Sequence, residues 1–272
     1  MLTQLFKETG RIFSLLFRQH RLNIFLWLVG IVGLTISVAY VYPMIYENQS
    51  DLVGLGITMQ NPAMTAMLGP AQSPSDYTAA IAFAGEMLLF TAIGMAVMNI
   101  LLASTTTRLD EEEGRLELVQ SLPVGKLSYT TALTLLMLIL NGVITLVIAV
   151  GLGVMDNADF TWEASLLYGA VLGSTGLFFS GATIVAAQLS ETTRGTRGIA
   201  FTVLILSYLI RAVGDVSNET LSLFSPLGWT VRTEVFATNE WWPIIGLAVG
   251  SVILIGVGFI LNRRRDIFQG LL

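Results

Sequence analysis

The sequence contains no cysteine, a single histidine (His20) and few charged residues. Without cysteine, disulfide bonds, thiol catalysis and thiolate metal sites are excluded. One histidine also excludes a multi-histidine metal site within one chain. Only 12% of the residues are charged, whereas a soluble domain has about 25%. The scarcity of charge therefore argues against a soluble protein.

The sequence also lacks the motifs of common enzymes. No phosphate-binding loop of the form G-x-x-x-x-G-K-[ST] occurs, so we do not expect the chain to hydrolyse ATP itself. HExxH, GxSxG and Cys/His clusters are missing as well, so the sequence does not favour an enzyme. We expect no cofactor bound by this chain and no nucleic-acid partner.

Hydrophobic residues make up 54% of the chain and form runs long enough to cross a lipid bilayer. A helical span needs about 20 mainly apolar residues. The sequence therefore predicts an all-α membrane protein with a single transmembrane domain over residues 1–272 and six transmembrane helices. The predicted spans are about 22–46, 78–103, 127–154, 164–189, 199–213 and 242–261.

Lysine and arginine are concentrated in alternate connections between these spans. They lie before the first span, between the second and third, between the fourth and fifth, and after the sixth. Only Arg211 and Arg232 fall on the other side. Because cytoplasmic connections carry an excess of Lys and Arg, we predict a multi-pass protein of the cell membrane with both termini in the cytoplasm.

Residues Met1–Arg21 precede the first predicted span with an amphipathic pattern. Leu, Ile and Phe recur at helical spacing, while Lys and Arg share another face. This pattern is typical of a helix that lies in the membrane interface, and we prefer it to a plain cytoplasmic arm. No cleavable signal peptide is predicted, because the first apolar run is long and lacks a small-residue cleavage site.

The segment Ser104–Lys126 is densely charged and separates the second and third predicted spans. Asp110 is placed to cap a helix, with Glu113 three residues later as in a capping box. Three apolar residues fall on one face at helical spacing: Leu109, Leu116 and Val119. We predict a short amphipathic helix over Asp110–Leu122 at the cytoplasmic mouth of two spans. Spacing alone favours the alternative, a solvated charged loop.

Three polar residues inside the predicted spans are candidate site residues. A carboxylate such as that of Glu86 costs a few kcal/mol in a membrane unless it is paired, protonated or facing water. Two interpretations stay open: Glu86 lines a substrate path or bundle seam, or it lies near the outer interface, where its side chain reaches the interface (snorkels) or pairs with Arg211. Asn99 and Asn141 are able to hydrogen-bond between helices, although plain packing is the simpler expectation.

Three stretches resemble one family of membrane proteins. The sequence RLDEEEGRLELVQSLPVGK at Arg108–Lys126 resembles the cytoplasmic loop of type-2 ATP-binding-cassette (ABC) exporter permeases. NPAMTAMLGP at Asn61–Pro70 and SPLGW at Ser225–Trp229 are similar to outer loops of the permeases likened to exporters of polyketide and tetronasin-type antibiotics. The resemblance covers essentially the whole chain. Such permeases often fuse two six-span halves, and this chain resembles one half.

The resemblance implies a function and a set of partners. Met1–His20 would be an interfacial elbow helix, and Asp110–Leu122 a coupling helix that docks on a separate cytoplasmic ATPase. That partner, and not this chain, would bind ATP and Mg²⁺. A second permease, either a copy or a related half, would complete the path for an amphipathic drug, antibiotic or lipid-like molecule. The resemblance assigns the docking role to Arg108, Glu111, Glu112, Glu113 and Arg115.

A bacterial exporter permease is therefore the first hypothesis, and two others stay open. A secondary transporter driven by an ion gradient would need paired charges and broken helices inside the membrane, and only Glu86 is available. A membrane sensor or assembly subunit that transports nothing would also bind a partner through the charged loop.

Overall fold

The computed structural model describes residues 5–72, 77–112, 124–155 and 157–264. Within these ranges the protein is helical and contains no strand. The helices, numbered in chain order, are α1 (Thr9–Ile45), α2 (Gln49–Met59), α3 (Pro62–Leu68), α4 (Ala79–Glu112), α5 (Ser128–Gly153), α6 (Trp162–Leu189), α7 (Thr193–Ser217), α8 (Glu219–Ser222), α9 (Pro226–Val231) and α10 (Trp242–Arg264).

Six of these helices, α1, α4, α5, α6, α7 and α10, are long and apolar enough to cross a membrane. This confirms the six predicted transmembrane helices. Most helices extend beyond the predicted spans, because polar residues at the ends continue the helical backbone. The predicted fifth span, 199–213, is the clearest case, since α7 runs from Thr193 to Ser217.

The N-terminal region differs from the prediction of a separate interfacial helix ending near Arg21. A single helix, α1, runs without interruption for 37 residues from Thr9 to Ile45. No proline or glycine lies between the amphipathic stretch and the apolar run, so nothing in the sequence breaks the helix at residues 19–23. Residues 1–4 lie outside the described part of the chain.

The charged segment after the second span also differs from its prediction. Asp110 does not cap a new helix, because α4 continues through one π-helical turn, Thr105–Leu109, as far as Glu112. The hydroxyl groups of Thr105, Thr106 and Thr107 donate to carbonyl oxygens four residues earlier, as Thr side chains commonly do within helices. Residues 113–123, which include most of the predicted coupling helix, lie outside the described part.

Helix α6 lies at the centre of the bundle and packs against α4, α5, α7 and α10. Small residues allow this close approach. A Cβ atom on Gly169 would meet the backbone of Thr145 in α5, and Thr145 Oγ1 donates to Gly169 O over 3.0 Å. Gly173 faces the Thr145 side chain one turn later. The Gly169-x-x-x-Gly173 pair is therefore the contact surface of α6 for α5.

The connections that are rich in Lys and Arg meet at one end of the bundle, which we call the basic end. There Gly125 N donates to Lys7 O (3.2 Å), and Lys126 Nζ donates to Arg263 O (3.2 Å). The carboxylate of Glu112 accepts a hydrogen bond from Thr193 at the start of α7. The opposite end contains α2, α3, α8 and α9. This grouping agrees with the predicted alternation of the connections; which end faces the cytoplasm stays a prediction.

The close contact between α5 and α6 can be tested at two glycines. We expect Gly169→Ala to destabilise the protein by about 1–3 kcal/mol, because the new methyl group overlaps the backbone of Thr145. The control is Gly142→Ala, since Gly142 in α5 has no neighbour within 4 Å of a built Cβ and alanine favours a helix over glycine. Thermal unfolding in detergent measures both variants. Equal melting temperatures would contradict this packing.

Candidate functional site: the fastening segment at the basic end

The last residues of α4, Arg108–Glu112, are called the fastening segment here because their side chains bind four other helices. Arg108 is 1% exposed. Its Nε donates to Ala187 O near the end of α6 (2.6 Å), and its Nη1 lies 3.1 Å from Glu111 Oε2. A guanidinium removed from water requires such partners, because an unpaired buried charge is strongly destabilising. The final carbonyl groups of a helix are also free to accept.

Asp110 joins the same segment to α1 and α5. Its Oδ1 accepts from Gln19 Nε2 (2.9 Å) and its Oδ2 from the Tyr129 hydroxyl (2.5 Å). The carboxylate is 1% exposed, so these are hydrogen bonds to a charge that water does not reach. Hydrogen bonds to charged groups are stronger than neutral ones.

Glu112 joins the segment to α7. Its two carboxylate oxygens accept from the backbone N–H (2.8 Å) and the hydroxyl group (2.6 Å) of Thr193. Thr193 is the first residue of α7, where the free N–H groups and the helix dipole favour an anion. A second contact lies nearby, because Arg197 Nε donates to Ser104 Oγ over 3.0 Å.

This geometry changes the role expected for the predicted docking residues. Arg108 and Glu111 are 1% and 3% exposed, so they have almost no surface for direct contact with a partner. Glu112 is exposed overall, but its carboxylate is bonded to α7. Glu113 and Arg115 lie outside the described residues, so their docking role stays a prediction.

Sequence reasoning missed the partners of the fastening segment: Gln19, Tyr129, Ala187 and Thr193. Gln19 is 91 residues from Asp110 along the chain, and no local pattern connects the two.

Glu86 lies near the opposite end, in the interface between α1 and α4. Its Oε2 accepts from the Tyr42 hydroxyl over 2.5 Å. The predicted alternative, an ion pair with Arg211, is wrong. Arg211 instead lies 3.1 Å from Asp215, one turn further along α7, and its Nη2 donates to Ala66 O at 2.6 Å. Arg211 therefore binds the C-terminal end of α3 and is not available to Glu86.

Aromatic rings surround the Glu86–Tyr42 contact. The Tyr42 ring centroid lies 5.7 Å from that of Tyr46 and 5.8 Å from that of Phe83. Tyr77 lies just before α4; burial, and then the charge of Glu86, raise the pKa of its hydroxyl to about 12. Tyr77 is therefore a neutral hydroxyl group near Glu86 at physiological pH.

Asn99 and Asn141 form a reciprocal amide pair in the middle of the bundle. Asn141 Nδ2 donates to Asn99 Oδ1 (2.7 Å), and Asn99 Nδ2 donates to Asn141 Oδ1 (3.1 Å). Ser180 in α6 donates to the same Asn99 oxygen (2.6 Å), and Gly176 leaves room for both amides. The structure thus shows hydrogen bonding between α4, α5 and α6, not plain packing. Both amides are fully buried, so they join helices and do not line an open path.

Comparison with known proteins places this arrangement in a family. The sequence model of the family described as "Multidrug efflux system permease Rv1217c, C-terminal domain" matches residues 10–263. The multidrug efflux system permease protein Rv1217c of Mycobacterium tuberculosis is 32% identical over 269 residues, which are 98% of this chain. The chain spans about half of that relative, 48% of its length. The finer likeness to polyketide and tetronasin-type exporters stays a prediction. Because the family match includes nearly all of the six long helices, the chain belongs to the family of the Rv1217c multidrug efflux permease C-terminal domain.

Proposed function

We propose that this protein is the membrane-spanning permease unit of an ABC exporter that moves amphipathic small molecules out of the cell. Family membership supports a permease of a drug efflux system. The sequence has no phosphate-binding loop, so ATP and Mg²⁺ belong to a separate cytoplasmic ATPase in this proposal. The basic end faces the cytoplasm of a bacterial cell, as the distribution of Lys and Arg favours.

A second permease unit completes the transport path in this proposal. The supporting fact is length, since the Rv1217c permease is about twice as long as this chain. The second unit is either another copy of the six-helix bundle or a related half. Exposed apolar side chains along α1 and α7, such as Leu26, Leu34, Leu206 and Leu209, leave surface for lipid and for that unit.

The fastening segment is the observation on which the proposed mechanism depends. Hydrogen bonds connect Arg108–Glu112 to α1, α5, α6 and α7. The connection to α5, residues 113–123, follows this segment directly. When the ATPase subunits close on ATP, their movement reaches that connection, and the fastening segment passes it to four helices together. The bundle then tilts, and the cavity between the two units changes from inward-facing to outward-facing.

Transport driven by ATP is the direct test of this function. Inside-out vesicles containing the permease and its ATPase should accumulate a fluorescent amphipathic dye when ATP is added. Collapse of the proton gradient with an uncoupler should leave the accumulation unchanged, because ATP supplies the energy. Uptake that persists without ATP and disappears with the uncoupler would instead identify an ion-driven transporter. The absence of uptake under both conditions would favour a sensor or assembly subunit.

The docking role of the connection can be tested by reversing its charges. We expect Glu113→Lys combined with Arg115→Glu to abolish co-purification of the ATPase, because both charges lie in the segment assigned to docking. Glu111 is unsuitable for this purpose, since its burial beside Arg108 makes substitution destabilising. The control is Glu191→Lys, an exposed residue at the same end. Retained binding by the double variant would overturn the docking assignment.

A further inference from the structure

An apolar groove runs between α1 and α4 and is not part of the proposed coupling mechanism. Its volume is about 240 Å³, and Trp27, Leu34, Met87 and Phe90 contribute to its lining. Gly30 of α1 and Gly94 of α4 both line the groove, and neither has a side chain that would fill it. A Cβ atom built on either glycine would have no neighbour within 4 Å. Leu34 and Phe90 are half exposed at its rim, so the groove is accessible from the side of the bundle.

Glu86 lies at the end of this groove that is nearer α2 and α3. Met87 and Phe90 line the groove and are one and four residues further along α4, and four residues of helix correspond to about 6 Å. The carboxylate lies in the same α1–α4 interface, because Tyr42 of α1 donates to it. Glu86 does not line the groove itself, but it adjoins one end of this apolar groove next to Met87.

The charge of Glu86 is not neutralised within the described residues. No Lys or Arg among those residues forms an ion pair with it, and Arg211, the partner considered from the sequence, is bound to Asp215. A carboxylate inside the membrane costs free energy unless it is compensated. The Tyr42 ring, whose hydroxyl donates to Glu86, has the centroids of the Tyr46 and Phe83 rings 5.7 and 5.8 Å from its own, and aromatic rings attract organic cations.

We infer that the α1–α4 groove and Glu86 form a binding site for lipophilic organic cations, such as quaternary ammonium or phosphonium compounds. The apolar part of the molecule occupies the groove next to Met87 and Phe90. The cationic centre lies beside the Glu86 carboxylate and the tyrosine rings. The groove is smaller than a typical closed drug pocket, so part of the ligand stays in contact with lipid. This inference rests on the proposed function and specifies the substrate class for it.

An uncharged amphipathic molecule fits this site less well, because it would bring no positive charge to Glu86. The charge thus selects among molecules that the groove alone would accept equally. We expect the site to favour cations through electrostatic attraction in a region of low dielectric constant, and to bind neutral molecules through the groove only.

The test compares a cationic and a neutral probe on the full-length protein in lipid nanodiscs. Tetraphenylphosphonium is the cation, and Nile red is the uncharged probe. We expect Glu86→Gln to weaken tetraphenylphosphonium binding by about tenfold or more and to leave Nile red binding unchanged. Unchanged Nile red binding shows that the groove is intact in the variant. Glu240→Gln, an exposed carboxylate between α9 and α10, is the control and should alter neither affinity.

Filling the groove supplies a second, independent variant. We expect Gly94→Leu to weaken the binding of both probes, because the new side chain occupies the space left by the glycine. If Glu86→Gln leaves tetraphenylphosphonium binding unchanged, or weakens both probes equally, the inference is overturned. If Gly94→Leu affects neither probe, the groove is covered by the second permease unit, and the inference is again overturned. ATP-driven transport of Nile red would, in that case, still support the proposed function.

Discussion

Four helices of this protein are joined by a short set of charged residues at the end of α4: the buried Arg108, Asp110 and Glu111, and the exposed Glu112. Placing charges in contact with protein instead of water is costly, and this cost is offset only when each charge has partners of good geometry. Glu111 pairs with Arg108, and Arg108, Asp110 and Glu112 have partners in α1, α5, α6 and α7. Removing one partner of a buried ion pair typically costs about 3–5 kcal/mol. The arrangement therefore keeps the basic end of the bundle together as one unit.

Helix α7 extends this connection to the opposite end of the molecule. Its first residue, Thr193, is bound by Glu112, and its Arg211 binds carbonyl oxygens of α3. The Arg211 guanidinium also lies 4.8 Å from the centre of the Tyr208 ring, so it is held by charge, hydrogen bonds and an aromatic face. Helix α7 is therefore bonded both to the fastening segment and to α3 at the opposite end. Packed helices with few small voids transmit displacements well.

The six spans and their alternation could be predicted from the sequence because both signals are local. Apolar length identifies each span, and the position of Lys and Arg orders the connections. The contacts of the fastening segment could not be predicted, because Asp110 and Gln19 are distant in sequence and meet only after the helices pack. In the structure the amphipathic stretch and the apolar run belong to one helix, α1; an interfacial position for the first part of this helix stays a prediction.

The ion pair between Arg211 and Asp215 could have been predicted if the fifth span had been predicted to end later. Asp215 lies four residues after Arg211, at the spacing of an ion pair on a helix, but the predicted span ended at residue 213. The pairing of Asn99 with Asn141 was within reach of the sequence, since both lie inside spans. The sequence does not show which faces of the helices meet. Gly176 leaves the space that the two side-chain amides occupy, and this is visible only in the packed bundle.

The central claim is that the fastening segment transmits ATP-driven movement to the bundle. The most direct measurement is the number of dye molecules that the reconstituted complex transports per ATP hydrolysed. It is made with Glu112→Ala, which removes the link to α7, and with Glu191→Ala as the control. The account predicts that Glu112→Ala retains ATP hydrolysis and ATPase binding while this ratio falls severalfold, and that Glu191→Ala leaves it unchanged. A ratio for Glu112→Ala equal to that of the unmodified protein would contradict the account.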